Sequence, residues 1–399
     1  MKYNFDEIID RKDTFSLKWD YAEFLKTYGI TERFDEETIP VHTADMDFRC
    51  AQPISDALKK LAEHNIYGYT AVFPYGAGLK YYEAIIRWFK KRHDWAIRPE
   101  EIVYVNGTVE AVKLAIQAFT EKGSGVLINR PIYSPFAMVI QKAGRVVVNS
   151  QLRNNNGYYT IDFEDFEAKA ADTKTRLFIL CHPHNPTGRI WTDEELTRMA
   201  AICKKHGVII LADEIHGDLI RKDLEFHPLA SVADPKDILT CTAVNKTFNL
   251  AGLHATNVVI QDLNLRMKFV DSIGWITPNP FTVAAVIAAY NEGEEWLEQL
   301  REYLDGNIDW VLDFLKKKMP DVKCFRPEGT YIMWMDFRGY GLSTQEIHRK
   351  IYMDANVVLE GGALFDPDCG GGFERVCVPA PRAVLEEVFE RIARQFEGL

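Results

Sequence analysis

Cysteine is scarce and scattered in this chain. Its 399 residues hold seven (Cys50, Cys181, Cys203, Cys241, Cys324, Cys369 and Cys377), an odd number with no CxxC pair. That excludes a disulfide framework and a paired-cysteine zinc site, and it predicts reduced thiols in a cytoplasmic protein. Basic charge is also short, with 47 Lys and Arg against 58 Asp and Glu, a net charge of −11. This balance argues against nucleic acid or a membrane surface as partner. No stretch is apolar enough for a transmembrane helix. The opening run Met1-Lys2-Tyr3-Asn4-Phe5-Asp6-Glu7 lacks a basic region followed by an apolar core, so no signal peptide is expected. Repeats and low-complexity segments are absent as well.

What is present is an alternation. Between about residues 100 and 290, short apolar runs alternate with amphipathic stretches. The runs are Ile102–Val105, Val126–Ile128, Val146–Val148, Leu177–Leu180, Val208–Ala212 and Val258–Ile260. They are rich in β-branched residues and do not alternate with polar ones, the pattern of strands buried on both faces. Val109, Val112, Ile116 and Phe119 recur at helical spacing between two of them, as do Leu196, Met199 and Cys203. The expected fold is α/β: a mostly parallel central sheet with helices on both faces, over residues 46–289. Further on, Glu294 to Met319 predicts a long amphipathic helix, Tyr331 to Phe337 a strand, and Ser343 to Ala355 and Ala383 to Phe396 two more helices. These are expected to form a smaller α+β domain from residues 290–399, joined by residues 1–45, with the ligand site between the two domains.

Three residues stand where a predicted strand gives way to a loop: Asn185, Asp213 and Lys246. A lysine amine can form a Schiff base with an aldehyde, and an aspartate can pair with a pyridinium nitrogen. An asparagine can donate to a phenolic oxygen. Together they have the chemistry to hold pyridoxal 5'-phosphate (PLP). In the run Cys181-His182-Pro183-His184-Asn185-Pro186-Thr187-Gly188-Arg189, a following proline restricts the asparagine backbone and so aims its amide. The Leu211-Ala212-Asp213-Glu214-Ile215-His216 run puts two carboxylates and a histidine at the strand edge that faces the crevice in open α/β sheets. A buried aspartate needs a cationic partner; a structural Arg or Lys would serve as well as a pyridinium. A metal is a third reading of that run, though no further ligand stands at metal spacing, and His216 could equally be a core histidine.

Other positions are two-sided when taken alone. Asn106-Gly107-Thr108-Val109 precedes a predicted helix and can bind a phosphate through backbone N–H groups, or can be an ordinary N-cap. Tyr133 can stack on a ring or fill the core. Arg375, after Gly370-Gly371-Gly372, can grip a carboxylate through two parallel bonds, or can lie at the surface while Arg382 takes that role.

The motifs together resemble the fold-type I PLP enzymes of the aminotransferase class I/II superfamily, and most closely the MalY/PatB cystathionine β-lyase branch. The resemblance covers nearly the whole chain. It is carried by Ser16-Leu17-Lys18-Trp19-Asp20, Ala44-Asp45-Met46-Asp47-Phe48, Tyr67-Gly68-Tyr69-Thr70, Pro183 to Arg189, Asp213-Glu214-Ile215-His216, Lys246 to Leu253 and Pro327-Glu328-Gly329-Thr330-Tyr331. It implies a PLP-dependent transferase-like fold and a homodimer in which Tyr69 reaches into the neighbouring subunit's site. Lys246 would be Schiff-base lysine and base, with Asp213 on the pyridinium nitrogen, Asn185 and His216 near the phenolic oxygen and Tyr133 on the ring. Gly107, Thr108, Val109 and Asn245 would lie at the phosphate, and Arg375, His42, Ala44 and Asp45 toward the amino-acid substrate; no metal is expected. The chain departs from the family at His42 (usually Trp), Asn245 (usually Ser), Thr108 (usually apolar), and Cys377 and Pro379 (usually Asn and Ala). The implied activity is carbon–sulfur β-elimination from cystathionine or a related L-cysteine conjugate. An aminotransferase on the same scaffold is the alternative, and a lyase with an added regulatory protein-binding role is a further one.

Overall fold

The computed structural model describes residues 1–399. Its centre is a seven-stranded sheet of β1 (Ile102–Val105), β2 (Gly125–Ile128), β3 (Val146–Asn149), β4 (Thr175–Cys181), β5 (Ile209–Asp213), β6 (Ile238–Thr242) and β7 (Thr256–Val259). The spatial order is β1-β7-β6-β5-β4-β2-β3, and only β7 runs antiparallel to its neighbours. Alternate residues of the inner strands enter different cores. Phe178, Leu180, Ile210 and Ala212 join one hydrophobic cluster, while Leu177, Ile179, Leu211 and Leu239 join another. Helices cover both faces. Leu79–His93 and Asp193–His206 pack on the first, and Thr108–Phe119, Ser134–Lys142 and Leu263–Ile273 on the second. This double cover explains the unbroken apolar runs. The exception is Val146–Val148, expected to be buried on both faces. β3 is an edge strand, and Val146 is exposed.

A smaller antiparallel sheet follows, made of β8 (Lys323–Cys324), β9 (Ile332–Asp336), β10 (Glu360–Gly361) and β11 (Phe373–Cys377), in the order β8-β9-β11-β10. It shares a separate core with Leu25, Val41 and the C-terminal helix Arg382–Phe396. The long helix Glu294–Lys318 serves two cores. Trp296, Leu297, Leu300 and Leu304 pack in the large one, and Ile308, Val311, Phe314 and Leu315 in the small one. The N-terminal residues divide in the same way: Phe5 packs on Phe48 and Trp296, whereas Leu25 enters the small core.

Local signals place the elements. Thr192 caps Asp193–His206 in a reciprocal pair with Glu195, and Gly207 ends that helix in the left-handed region. Ser343 caps Thr344–His348 in the same way with Glu346; the turns that follow, Arg349–Asp354, are π-helical. No helix is long and apolar enough to cross a membrane.

Candidate functional site

Five of the predicted site segments lie beyond the C-terminal ends of the parallel strands. Gly107 follows β1, Tyr133 follows β2, Asn185 follows β4, Asp213 ends β5, and Lys246 follows β6. Loops at this edge of an open α/β sheet enclose the ligand crevice. Asp213 is central, paired with Cys181 on one side and Cys241 on the other.

Asp213 is 5% exposed and has no cation in ion-pair range; its one side-chain bond is from Ile215 N–H at 3.4 Å. Burial pushes its carboxyl up to about 7, against the weaker pull of Ile215 N–H and Lys246. The neighbouring Glu214 turns the other way. It accepts from Leu229 N–H at 2.7 Å, and burial holds its carboxyl well above the usual range. The two adjacent carboxylates therefore divide: Asp213 stays without a cation at the strand edge, and Glu214 ties a loop.

Lys246 lies in the one-turn helix Val244–Thr247, and its Nζ donates to Ala44 O at 2.7 Å. Burial and then the charge of Arg375 hold its amine below the ordinary lysine value. Tyr331 donates to the same Ala44 carbonyl at 2.8 Å and meets the His216 ring edge-on, with centroids 5.8 Å apart. His216 is buried with Nδ1 unpartnered, and burial, Lys246 and Arg375 together keep it neutral.

Arg375, 2% exposed on β11, crosses the site. It donates from Nη1 to Asn185 Oδ1 at 3.1 Å, and from Nη2 to His42 O at 3.0 Å and to Glu360. His42 thus contributes its carbonyl to Arg375, while its ring Nδ1 pairs with Thr43 Oγ1 at 2.8 Å. Burial, with Lys18 and Arg375, lowers the His42 ring to about 3. The Cys377 thiol also donates to His42 O, at 3.4 Å.

Gly107 adopts φ +101° immediately before the helix Thr108–Phe119, a conformation that favours glycine. It brings the first N–H groups of that helix to the strand edge. The Thr108 hydroxyl pairs with Thr256 at 3.0 Å, and Val109 is partly exposed. Buried Asn245 keeps an unpartnered Oδ1. Half-buried Tyr133 is close enough to Arg375, Glu360 and Asp213 to feel their charges.

The walls are tied by bonds that the sequence does not reveal. Asn249 accepts from Met46 N–H and donates back to Met46 O, both at 2.9 Å, clamping the Ala44–Asp47 loop to the lysine loop. Gly188 O accepts from Glu328 and Gly329 N–H at 2.8 and 2.9 Å, joining the Asn185 loop to the turn that carries Tyr331. A side chain at Gly188, where φ is +71°, would collide with Pro327. Asp45 pairs with Arg11 at 2.9 Å and Lys18 at 3.6 Å, beside Asp47, which holds Lys18 at 2.6 Å and Arg11 at 2.7 Å. These ion pairs tie the loop to the N-terminal segment, and Asp45 remains near enough to Lys246 for its charge to act on the amine. Tyr69 stands fully exposed on the single chain.

Three residues near the site escaped the sequence reading. Tyr331 and Glu360 lie on the smaller sheet and its approach, and His254 lies nearest the open side of Gly107. Only the Pro-Glu-Gly-Thr-Tyr turn carried a signal for any of them.

These residues fit PLP. Asp213 is a buried carboxylate lacking a cation, His216 Nδ1 and Arg375 Nε are buried donor or acceptor atoms without partners, and a lysine amine faces them. Fold and site together define a class: an enzyme with a lysine held at the crevice of an open α/β sheet for covalent work on an aromatic aldehyde cofactor. The chain belongs to the aminotransferase class I and II family, whose sequence model matches residues 39–392. It is 39% identical to cystathionine β-lyase PatB of Bacillus subtilis over 98% of both chains, and 29% identical to protein MalY of Escherichia coli over 96% of both. Among solved structures it is similar to cystalysin from Treponema denticola, which contains PLP (TM-score 0.92, 33% identity, 100% of this chain and 99% of that one). A PLP-bound C–S lyase from Staphylococcus hominis is equally similar (TM-score 0.92, 34% identity, 99% and 98%).

Proposed function

We propose that this chain is a PLP-dependent carbon–sulfur β-lyase that cleaves cystathionine or a related L-cysteine S-conjugate to a thiol, pyruvate and ammonia. The observation that carries the reading is Lys246, a part-buried amine held on Ala44 O within the field of the cation-free carboxylate of Asp213. The likeness to PatB and to the C–S lyases supports elimination over amino transfer.

Bound PLP supplies an aldehyde that captures an amine and a ring that accepts electrons from the α-carbon. Lys246 would bond to the aldehyde carbon and, once released by the substrate amine, take the α-proton; its lowered basicity suits that task. Asp213 would keep a proton on the ring nitrogen. Asn185 and His216 would line the phenolic oxygen, and Tyr133 would cover the ring. Gly107, Thr108 and Val109 would present N–H groups to the phosphate, with Asn245 beside them. Arg375 would orient the substrate carboxylate.

The reading includes a homodimer, because Tyr69, Ile66, Tyr67 and Tyr75 are exposed together and an exposed aromatic run is a contact surface. It includes a cytoplasmic location, supported by seven cysteines without a disulfide. The deciding experiment incubates purified protein with cystathionine and, in parallel, with amino acids and a 2-oxo acid. Pyruvate from cystathionine is expected; brisk amino transfer with no pyruvate would overturn the lyase reading.

A further inference from the structure

The guanidinium that would take the substrate carboxylate is already engaged by a carboxylate of its own chain. Glu360 stands directly opposite Arg375 across the antiparallel pair β10/β11 and accepts from Nη2. Nη2 also donates to His42 O, so both of its N–H groups are used. A guanidinium has two forked faces for a carboxylate, and Nη2 belongs to both. While Glu360 stays, an incoming carboxylate finds no complete fork. Release of Glu360 returns an Nη2 N–H to the site, beside an Nε–H that is buried without a partner.

The surroundings allow that release. The Glu360 side chain keeps 22% of its surface exposed, against 2% for Arg375, so it is the member of the pair nearer to solvent. Glu374, bonded by Tyr352 at 2.7 Å, adds a second acidic group beside it. Lys246 is near enough for its charge to act on Glu360, which places the carboxylate inside the reaction site.

We infer that Glu360 is a specificity-determining residue, an internal carboxylate that occupies Arg375 and must yield to the substrate's α-carboxylate, so that the competition between them sets the site's affinity for amino acids. The inference rests on reading the site as one for an α-amino acid. It gives the site a means of holding a buried arginine paired in the absence of substrate, since an unpaired buried charge is costly.

The test uses PLP-loaded wild type, Glu360→Gln and Glu360→Ala, titrated with L-alanine, which lacks a β-leaving group, and with L-alaninamide, whose carboxyl group is neutral. Cofactor absorbance reports binding, and thermal unfolding is followed alongside. Both variants are expected to bind L-alanine about tenfold more tightly, the effect of removing a competitor worth about 1.4 kcal/mol, with L-alaninamide within about twofold of wild type. Their Tm without ligand should fall, and the rise on adding L-alanine should exceed that of wild type. Equal changes for the two ligands, or weaker L-alanine binding in both variants, would overturn the inference while leaving the amino-acid site standing. If no form of the protein responds to either compound, the amino-acid reading itself fails and the inference falls with it.

Discussion

Lys246 and Tyr331 share one acceptor. The amine donates to Ala44 O at 2.7 Å and the phenol to the same oxygen at 2.8 Å. Ala44 lies on the loop clamped by Asn249, Lys246 on the loop that carries Asn249, and Tyr331 at the start of the smaller sheet. One backbone carbonyl thus gathers three separate parts of the chain around the reactive amine.

Replacing Lys246 by Ala should abolish the covalent link to the cofactor. Turnover is expected to fall by at least about 10³-fold, the scale of a lost nucleophile and base. Borohydride reduction followed by peptide mass analysis should label wild type at Lys246 and leave K246A unlabelled.

Asp213 makes the cofactor-free protein pH-sensitive. An unfolded Asp ionises near its ordinary value of about 3.9, whereas the folded Asp213 keeps its proton to about 7. Between those values the folded state binds more protons, so stability falls as pH rises through the window, by on the order of 4 kcal/mol. Thermal melts of stripped wild type and Asp213→Asn, from pH 4 to pH 8, should diverge in that sense. With PLP restored the wild-type slope should flatten, because a pyridinium beside Asp213 would pair its carboxylate.

Lys18 is 1% exposed between Asp45 and Asp47. Burial alone would raise the Asp47 carboxyl, but Lys18 and Arg11 outweigh it and hold it below the usual range. Lys18→Met leaves buried Asp47 and partly buried Asp45 short of one cation and should cost about 3 kcal/mol in urea unfolding. An unchanged midpoint would show the cluster to be dispensable.

Arg375→Lys keeps the charge but removes the planar fork and the bond to Asn185. KM for the amino-acid substrate should rise about 10- to 100-fold with a smaller change in kcat, the mark of lost uniform binding.

If Tyr69 completes a partner's site, K246A and Y69A proteins, each inactive, should complement after subunit exchange. Random pairing leaves half of the dimers mixed, each with one intact site, so roughly a quarter of wild-type activity should return. Absence of recovery in verified mixed dimers would show that each subunit works alone.

Much of the candidate site's placement could be read before the fold was known, because these side chains sit on short segments where chemistry and backbone constraint coincide. Asn185 stands before a proline in a loop, Asp213 at the end of an apolar strand, and Lys246 one turn past another. Gly107 at φ +101° is likewise a local requirement. Asp45 illustrates the opposite case. Its motif gives no sign of the cations that pair with it, Arg11 and Lys18, more than 25 residues earlier in the chain. Val146–Val148 shows the same limit for the fold: three valines look alike in a central and an edge strand, and only the strand order settles their exposure.

The amino-acid sequence by itself determined the α/β scaffold, the set of strand-edge loops, and the places of the lysine, aspartate and asparagine at those loops. Periodicity and local chain geometry are near-neighbour properties and can be read along the chain. Tertiary structure alone decided that Ala44 O holds Lys246, that Glu214 turns away from Asp213, and that Glu360 covers Arg375. Each of these depends on packing between segments far apart in sequence, where burial removes water and leaves a charge with only the partner that the fold brings to it.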